Sequence, residues 1–234
     1  MTPEPLAALF AELGRLRDLS LLEHEVSLRG FVRIAGVDEA GRGSLAGPVV
    51  AAAVILPARC ILPGLDDSKK LDAEARERLD RHIRRCAVAF GIGVVPARQI
   101  DADDILRASL EAMRVAVLAL APAAEALLVD AVSVPGVRMP QVPVIHGDAL
   151  SASIAAASIL AKVHRDRLLD ELARRHPAYG FEHHKGYGTP EHWDALRRFG
   201  PCPEHRLTYR GVVPEPGDEA PPTPSAGRRK SRTG

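Results

Sequence analysis

A chain of 234 residues can bury one sizeable core, so a single domain with appendages is expected. A formal charge of +1 leaves no basic footprint, so a nucleic-acid partner is neither announced nor excluded, while aromatics at 4% argue against a base-stacking platform. The three cysteines, Cys60, Cys86 and Cys202, form no C-x-x-C pair and no zinc spacing, which fits a reduced, cytoplasmic protein.

The N-terminus shows no basic region followed by an apolar core, and no apolar run approaches membrane-spanning length. Neither secretion nor a membrane partner is therefore expected. No obvious interface stripe is present, so a monomer is expected. Residues 1–30 read as a helical extension, because Leu6, Leu9, Phe10, Leu13 and Leu16 recur at helical spacing. It is a packing feature without chemistry.

The next stretch organises the chain. An apolar strand at about Val32–Asp38 ends in two adjacent acids, Asp38 and Glu39. The turn Gly41-Arg42-Gly43 follows, and then a second apolar strand at about Pro48–Leu56. On a regular strand the two acids would face opposite ways, so they can share a site only where the strand is ending. Buried acids need a partner, and a divalent cation would serve. The glycines do not make a dinucleotide loop: the spacing is wrong and a strand follows instead of a helix. Gly36 to Gly41 has phosphate-loop spacing, but Arg42 stands where Gly-Lys would be needed.

Residues 57–72 form a loop in which Ser68, Lys69 and Lys70 read either as solvated surface or as phosphate contacts. A helix over Ala73–Arg85, a strand near Ala87–Val95 and a helix from about Ala102 to Leu120 come next. The strand Ala126–Asp130 again ends in an acid, and a further short strand near Val142–Ile145 is followed by Asp148. A long helix, Ala149–Arg175, carries small residues on its first half and Lys162, His164, Arg165 and Arg167 on its second. Tyr187, between Gly186 and Gly188, should be an exposed ring of the kind that contacts ligands. His183 and His184 read as surface rather than as metal ligands. Glu191–Phe199 should be helical, after a Thr189-Pro190 start. Residues 214–234, rich in Pro, Gly and Ser and basic at the end, should be disordered.

Short neighbouring strands followed by alternating strands and helices predict an α/β fold: a mixed five-stranded sheet flanked by helices, with a C-terminal helical part. Acids at three strand ends suggest a cation cluster along one sheet edge. Oxygen ligands suit Mg²⁺ or Mn²⁺, and four carboxylates can hold the two ions that clamp a phosphoryl displacement.

Six segments occur in order between Arg33 and Phe199. They are Gly36-Val37-Asp38-Glu39-Ala40-Gly41-Arg42-Gly43, Asp67-Ser68-Lys69-Lys70-Leu71, Leu128-Val129-Asp130, Gly147-Asp148, Ala156–Val163 and His184-Lys185-Gly186-Tyr187-Gly188-Thr189. On these motifs the sequence resembles the type 2 ribonucleases H, and within them the bacterial ribonuclease HII family. The resemblance implies an RNase H-like catalytic domain over 31–213. It implies that Asp38, Glu39, Asp130 and Asp148 bind two Mn²⁺ or Mg²⁺ ions and are catalytic. It further implies that Gly41, Arg42 and Gly43 read the ribonucleotide and its phosphates, and that Tyr187 packs by the DNA sugar at an RNA–DNA junction. Ser68, Lys69, Lys162 and Arg165 are the remaining candidate substrate contacts. The implied partners are RNA–DNA hybrids and duplex DNA containing ribonucleotides, cut 5′ to the ribonucleotide to leave 3′-hydroxyl and 5′-phosphate ends. Ser44 stands where the family commonly has proline, and Ala131 where it usually has glycine. Without the resemblance, a different nuclease of the same fold and a binding module with structural acids would both remain open.

Overall fold

The computed structural model describes residues 3–58 and 60–213. The expected disordered tail, 214–234, lies outside the described residues. Helices α1 (Pro3–Leu19) and α2 (Leu21–Ser27) lead into strands β1 (Ile34–Ala40) and β2 (Val49–Ile55). Helix α3 (Ala73–Cys86) and strand β3 (Ala89–Val95) follow, then helices α4 (Ala97–Ala102) and α5 (Ile105–Leu118). Strands β4 (Ala126–Asp130) and β5 (Gln141–Val144) complete the sheet. Helix α6 (Ala152–Arg175) crosses it, and α7 (Phe181–His184) and α8 (Pro190–Phe199) form the C-terminal part.

The five strands run in the order β3-β2-β1-β4-β5. Pairing is antiparallel across β3, β2 and β1, and parallel across β1, β4 and β5. This is the mixed, helix-flanked sheet expected. Alternation along β2 divides the core. Val49, Ala51, Ala53 and Ile55 pack with Ala108, Ala112 and Ala116 of α5, while Val50, Ala52 and Val54 pack with Ala155–Ala157 of α6. Small side chains bring both helices close. A Cβ added to Gly36 of β1 would stand 2.0 Å from the Ser153 carbonyl carbon of α6, so only glycine fits at this crossing. The C-terminal helices build a satellite core from Leu169, Leu172, Tyr179, Phe181 and Leu196, closed over Leu45 and Ala46 of the β1–β2 connection.

Two local expectations are corrected. The strand bearing the acid pair does not end at it. Asp38 and Glu39 still pair with Ala52 and Ala51 of β2, and β1 stops only at Ala40. It is on the other side that β1 is released, because its pairing with β4 ends at Val37↔Val129. The helix expected from Ala102 to Leu120 begins only at Ile105, as α5, and a separate helix, α4, ends where it was expected to start. Asp104 interrupts the run and caps α5 by accepting the Arg107 N–H at 2.8 Å.

Candidate active site

The register sets the first two acids side by side. One step beyond Val37↔Val129 lie Asp38 and Asp130, on the face of the sheet that α6 covers. Asp38 is 5% exposed and accepts the Glu39 N–H at 2.7 Å. Behind it, the hydroxyls of Ser68 and Ser158 are hydrogen-bonded at 2.8 Å, and Ser158 draws the Asp38 carboxyl downward. Burial pushes the Asp38 carboxyl well above the usual range, and the charges on Glu39 and Asp130 push it further. Burial raises Glu39 as well, against the opposing pull of Arg42, whose Nη1 lies 3.3 Å from its Oε1.

The other two acids are already engaged. Asp130 Oδ1 accepts the Gly147 N–H at 2.8 Å. Asp148 Oδ2 accepts from Lys69 Nζ at 3.1 Å. The positive charge of Lys69 is also felt by Asp38 and Glu39. Among the described residues, no three His, Cys, Asp or Glu side chains converge into a formed metal site. Of the four acids expected to cluster, Asp38, Glu39 and Asp130 thus feel one another's charge, and Asp148 is joined to them through Lys69 rather than closed around one point with them. The donor set nonetheless fits a hard divalent cation. All its donors are carboxylate oxygens, and Asp38 is destabilised by the charges of Glu39 and Asp130, with the ammonium of an exposed lysine standing where cationic charge is wanted.

The glycine turn is built on two buried arginines. Arg206 donates Nη2 to the Gly41 carbonyl at 2.7 Å, Nη1 to the Arg42 carbonyl at 2.8 Å, and Nε and Nη2 to the Gly47 carbonyl at 3.1 and 3.0 Å. Arg165 donates to the carbonyls of Pro48, Ala46 and Lys185 at 3.0, 3.1 and 2.9 Å. Burial pushes the Arg165 guanidinium down to about 10. Arg165 is therefore corrected from substrate contact to scaffold, because it is fully buried and its donors are spent on carbonyls. Gly41 is corrected too. Its φ is +97°, and a Cβ there would lie 2.0 Å from Arg165 Nε, so its missing side chain makes room for the arginine and not for a substrate. Arg42 and Gly43 are the exposed part of the turn.

Tyr187 belongs to the same body. The Gly186 carbonyl accepts the N–H groups of Leu45 and Ala46 at 2.8 and 3.3 Å, and Arg165 joins the Ala46 and Lys185 carbonyls. The half-exposed ring has Lys162 Nζ 5.8 Å and the Arg165 guanidinium 5.5 Å from its centroid. Lys162 is also paired with Asp166 at 2.6 Å.

Comparison with known proteins decides the family. The family model described as Ribonuclease HII matches residues 35–212. The ribonuclease HII of Geobacillus kaustophilus is 58% identical over 85% of this chain and 76% of its own. That of Caldanaerobacter subterraneus subsp. tengcongensis is 49% identical over 89% of this chain and 87% of its own. Among solved structures, the ribonuclease H2 from Pyrococcus horikoshii OT3 superposes with a TM-score of 0.66 at 25% identity, over 77% of this chain and 95% of that one.

The chain belongs to the ribonuclease HII family. It is accordingly a nuclease, a hydrolase of phosphodiester bonds. Two features of this ribonuclease take their meaning from the fold. Arg206 lies in a polar stretch, Glu204-His205-Arg206, that resembles any surface loop, and only the fold shows it reaching residues 41–47. Ala131, which follows the third acid, adopts a left-handed φ of +56° in a turn closed by the Val132 N–H on the Asp130 carbonyl at 2.7 Å. That conformation accounts for the glycine usual there.

Proposed function

We infer from family membership that the chain has ribonuclease H activity on RNA–DNA hybrids, and we propose a finer reading. It nicks duplex DNA on the 5′ side of a single embedded ribonucleotide, leaving 3′-hydroxyl and 5′-phosphate ends. The observation that carries this reading is the common scaffold of the glycine turn and the Tyr187 loop. Arg165 and the Gly186 carbonyl tie the two together, so they are held at a fixed separation beside the acids. A reader of a 2′-hydroxyl and a reader of its absence need such a fixed spacing to recognise one junction.

Asp38, Glu39, Asp130 and Asp148 would hold two Mg²⁺ or Mn²⁺ ions, which when bound supply activation of water and stabilisation of the leaving 3′-oxygen. The protein's own groups do the rest. The Glu39 amide fixes the Asp38 carboxylate, with the Ser68–Ser158 pair behind it. Lys69, exposed on a long stem, exchanges Asp148 for a substrate phosphate. Arg42 and the backbone of Gly43 meet the ribose 2′-hydroxyl and an adjacent phosphate, since the carbonyls of this turn point inward to Arg206. The flat face of Tyr187 packs on the neighbouring deoxyribose. The same reading has the enzyme acting as a monomer in the cytoplasm.

The test is a gel assay on three labelled duplexes: all-DNA, one ribonucleotide in DNA, and continuous RNA paired with DNA. The expected result is a nick 5′ to the single ribonucleotide, cutting within the hybrid, and an intact all-DNA control. Cutting confined to the continuous hybrid would overturn the junction reading.

A further inference from the structure

The loop that carries Tyr187 is held from beneath by histidines that take no part in the chemistry above. His192 on α8 and His205 beyond it are both buried, with their Nε2 atoms 2.9 Å apart. Each ring ends on backbone at its other nitrogen. The Cys202 N–H lies 3.0 Å from His205 Nδ1, and the Tyr187 carbonyl oxygen lies 2.9 Å from His192 Nδ1.

These two ends fix every proton between them. An amide N–H only donates, so His205 Nδ1 is bare and its proton sits on Nε2. That proton is given to His192 Nε2, which is therefore bare. His192 then carries its proton on Nδ1 and gives it to the Tyr187 carbonyl. A second proton on either ring would set two N–H groups face to face, so both rings are neutral. Burial acts the same way, pushing each down to about 4. His184 stacks on His192 with ring centroids 4.3 Å apart and planes 12° apart, and Phe181 meets His192 edge-on.

We propose that His192 and His205 are positioning residues for junction recognition, a one-way relay of hydrogen bonds from the Cys202 amide to the Tyr187 carbonyl that sets the angle of the tyrosine ring. This rests on the reading of Tyr187 given above. The argument is mechanical. Gly186 and Gly188 flank the tyrosine and give its backbone no side-chain anchor. Its orientation therefore depends on what holds its peptide groups. Its N–H is held by the His184 carbonyl at 3.0 Å, and its carbonyl by the Thr189 N–H at 2.9 Å and by His192. Thr189 is a near neighbour that moves with the loop. His192 is the bond that refers the ring to the packed C-terminal core.

Two substitutions separate the ends of the relay. In His192→Asn the amide nitrogen overlies Nδ1, which keeps the donor to Tyr187 and drops His205. In His192→Gln the longer side chain carries its amide to the Nε2 position, where the amide oxygen accepts the His205 proton, which keeps His205 and drops Tyr187. Steady-state cleavage is measured on the one-ribonucleotide duplex and on the continuous hybrid, with Tyr187→Ala alongside. His192→Gln should raise KM on the one-ribonucleotide duplex by roughly three- to tenfold, the scale of one hydrogen bond, and leave kcat and the hybrid within about twofold. His192→Asn should stay near wild type on both. Equal effects of the two variants on both substrates would mark the histidines as merely structural and overturn the proposal. If Tyr187→Ala itself spares the one-ribonucleotide duplex, the junction reading fails and the relay's role falls with it. If Tyr187→Ala is defective and His192→Gln is not, the relay alone is refuted. Nitrogen-15 spectra of the wild type supply a readout that needs no variant. They should show neutral rings at pH 7, protonated on Nδ1 in His192 and on Nε2 in His205, and any other tautomer pair overturns the relay.

Discussion

Asp38 serves two opposed ends. It is buried beside two other acids, and the lysine that shares charge with it, Lys69, is itself largely exposed and bonded to Asp148. A carboxyl raised in the folded state begins to cost stability as pH rises through its unfolded value, and the cost is complete once the folded group ionises. At neutral pH without metal, Asp38 therefore costs stability. Asp38→Asn keeps the volume and the hydrogen bonds and removes the charge. It should abolish cleavage while raising the melting temperature in chelator by roughly 2–6 °C, on a scale of about 2–4 °C per kcal/mol for a domain of this size. Calorimetry in EDTA and the duplex assay check both halves. A lower melting point, or near-normal cleavage with saturating Mg²⁺, would refute the account. The identity of this residue was legible in the sequence, because an acid at the end of an apolar strand is conspicuous. Its setting was not. Which strand lets go first, and which serine stands behind, are matters of register and of contacts between Ser68 and Ser158, 90 residues apart.

Elements meet here at backbone distance, and glycine is what allows it. At the β1–α6 crossing the Cα of Gly36 faces the Ser153 backbone with no room for a methyl group. Gly36→Ala must push helix and strand apart, and the acids ride on that strand. A loss of roughly 3 kcal/mol or more is expected in urea unfolding, with cleavage reduced in the fraction that remains folded. An unchanged unfolding midpoint would show that the crossing is looser than described. At this scale the sequence was most readable where apolar runs have clear ends. Strand β4 falls on the expected Ala126–Asp130, and α3 begins after its cap, Asp72, within a residue of expectation at its far end. It was least readable around Asp101–Asp104, where three acids could each start a helix and only packing selects Asp104.

Across the whole molecule, the glycine turn at residues 41–47 is governed from far along the chain. Arg206 supplies a planar fork to three carbonyls and to the Tyr209 hydroxyl. Lysine keeps the charge but cannot span that set. Arg206→Lys should raise KM on the one-ribonucleotide duplex at least about fivefold while changing kcat by less than about twofold, because the acids do not touch it. Equal losses in both constants would show that the turn and the acids are not separable. None of this could be read from residue types, since Arg165 and Arg206 look like any other arginines in an arginine-rich chain.

That dependence also has a direction in time. On the ribosome, which adds about 5–20 residues per second, the strands are complete once Val144 has been made. At that moment the carbonyls of residues 41–48 have neither Arg165 nor Arg206 to turn them inward. Asp38, Glu39 and Asp130 have by then been made, and Asp148 and the two arginines that shape the proposed reading turn have not. A half-made molecule therefore holds most of the blade without the guide, and on the proposed reading Arg206 is the part that completes it.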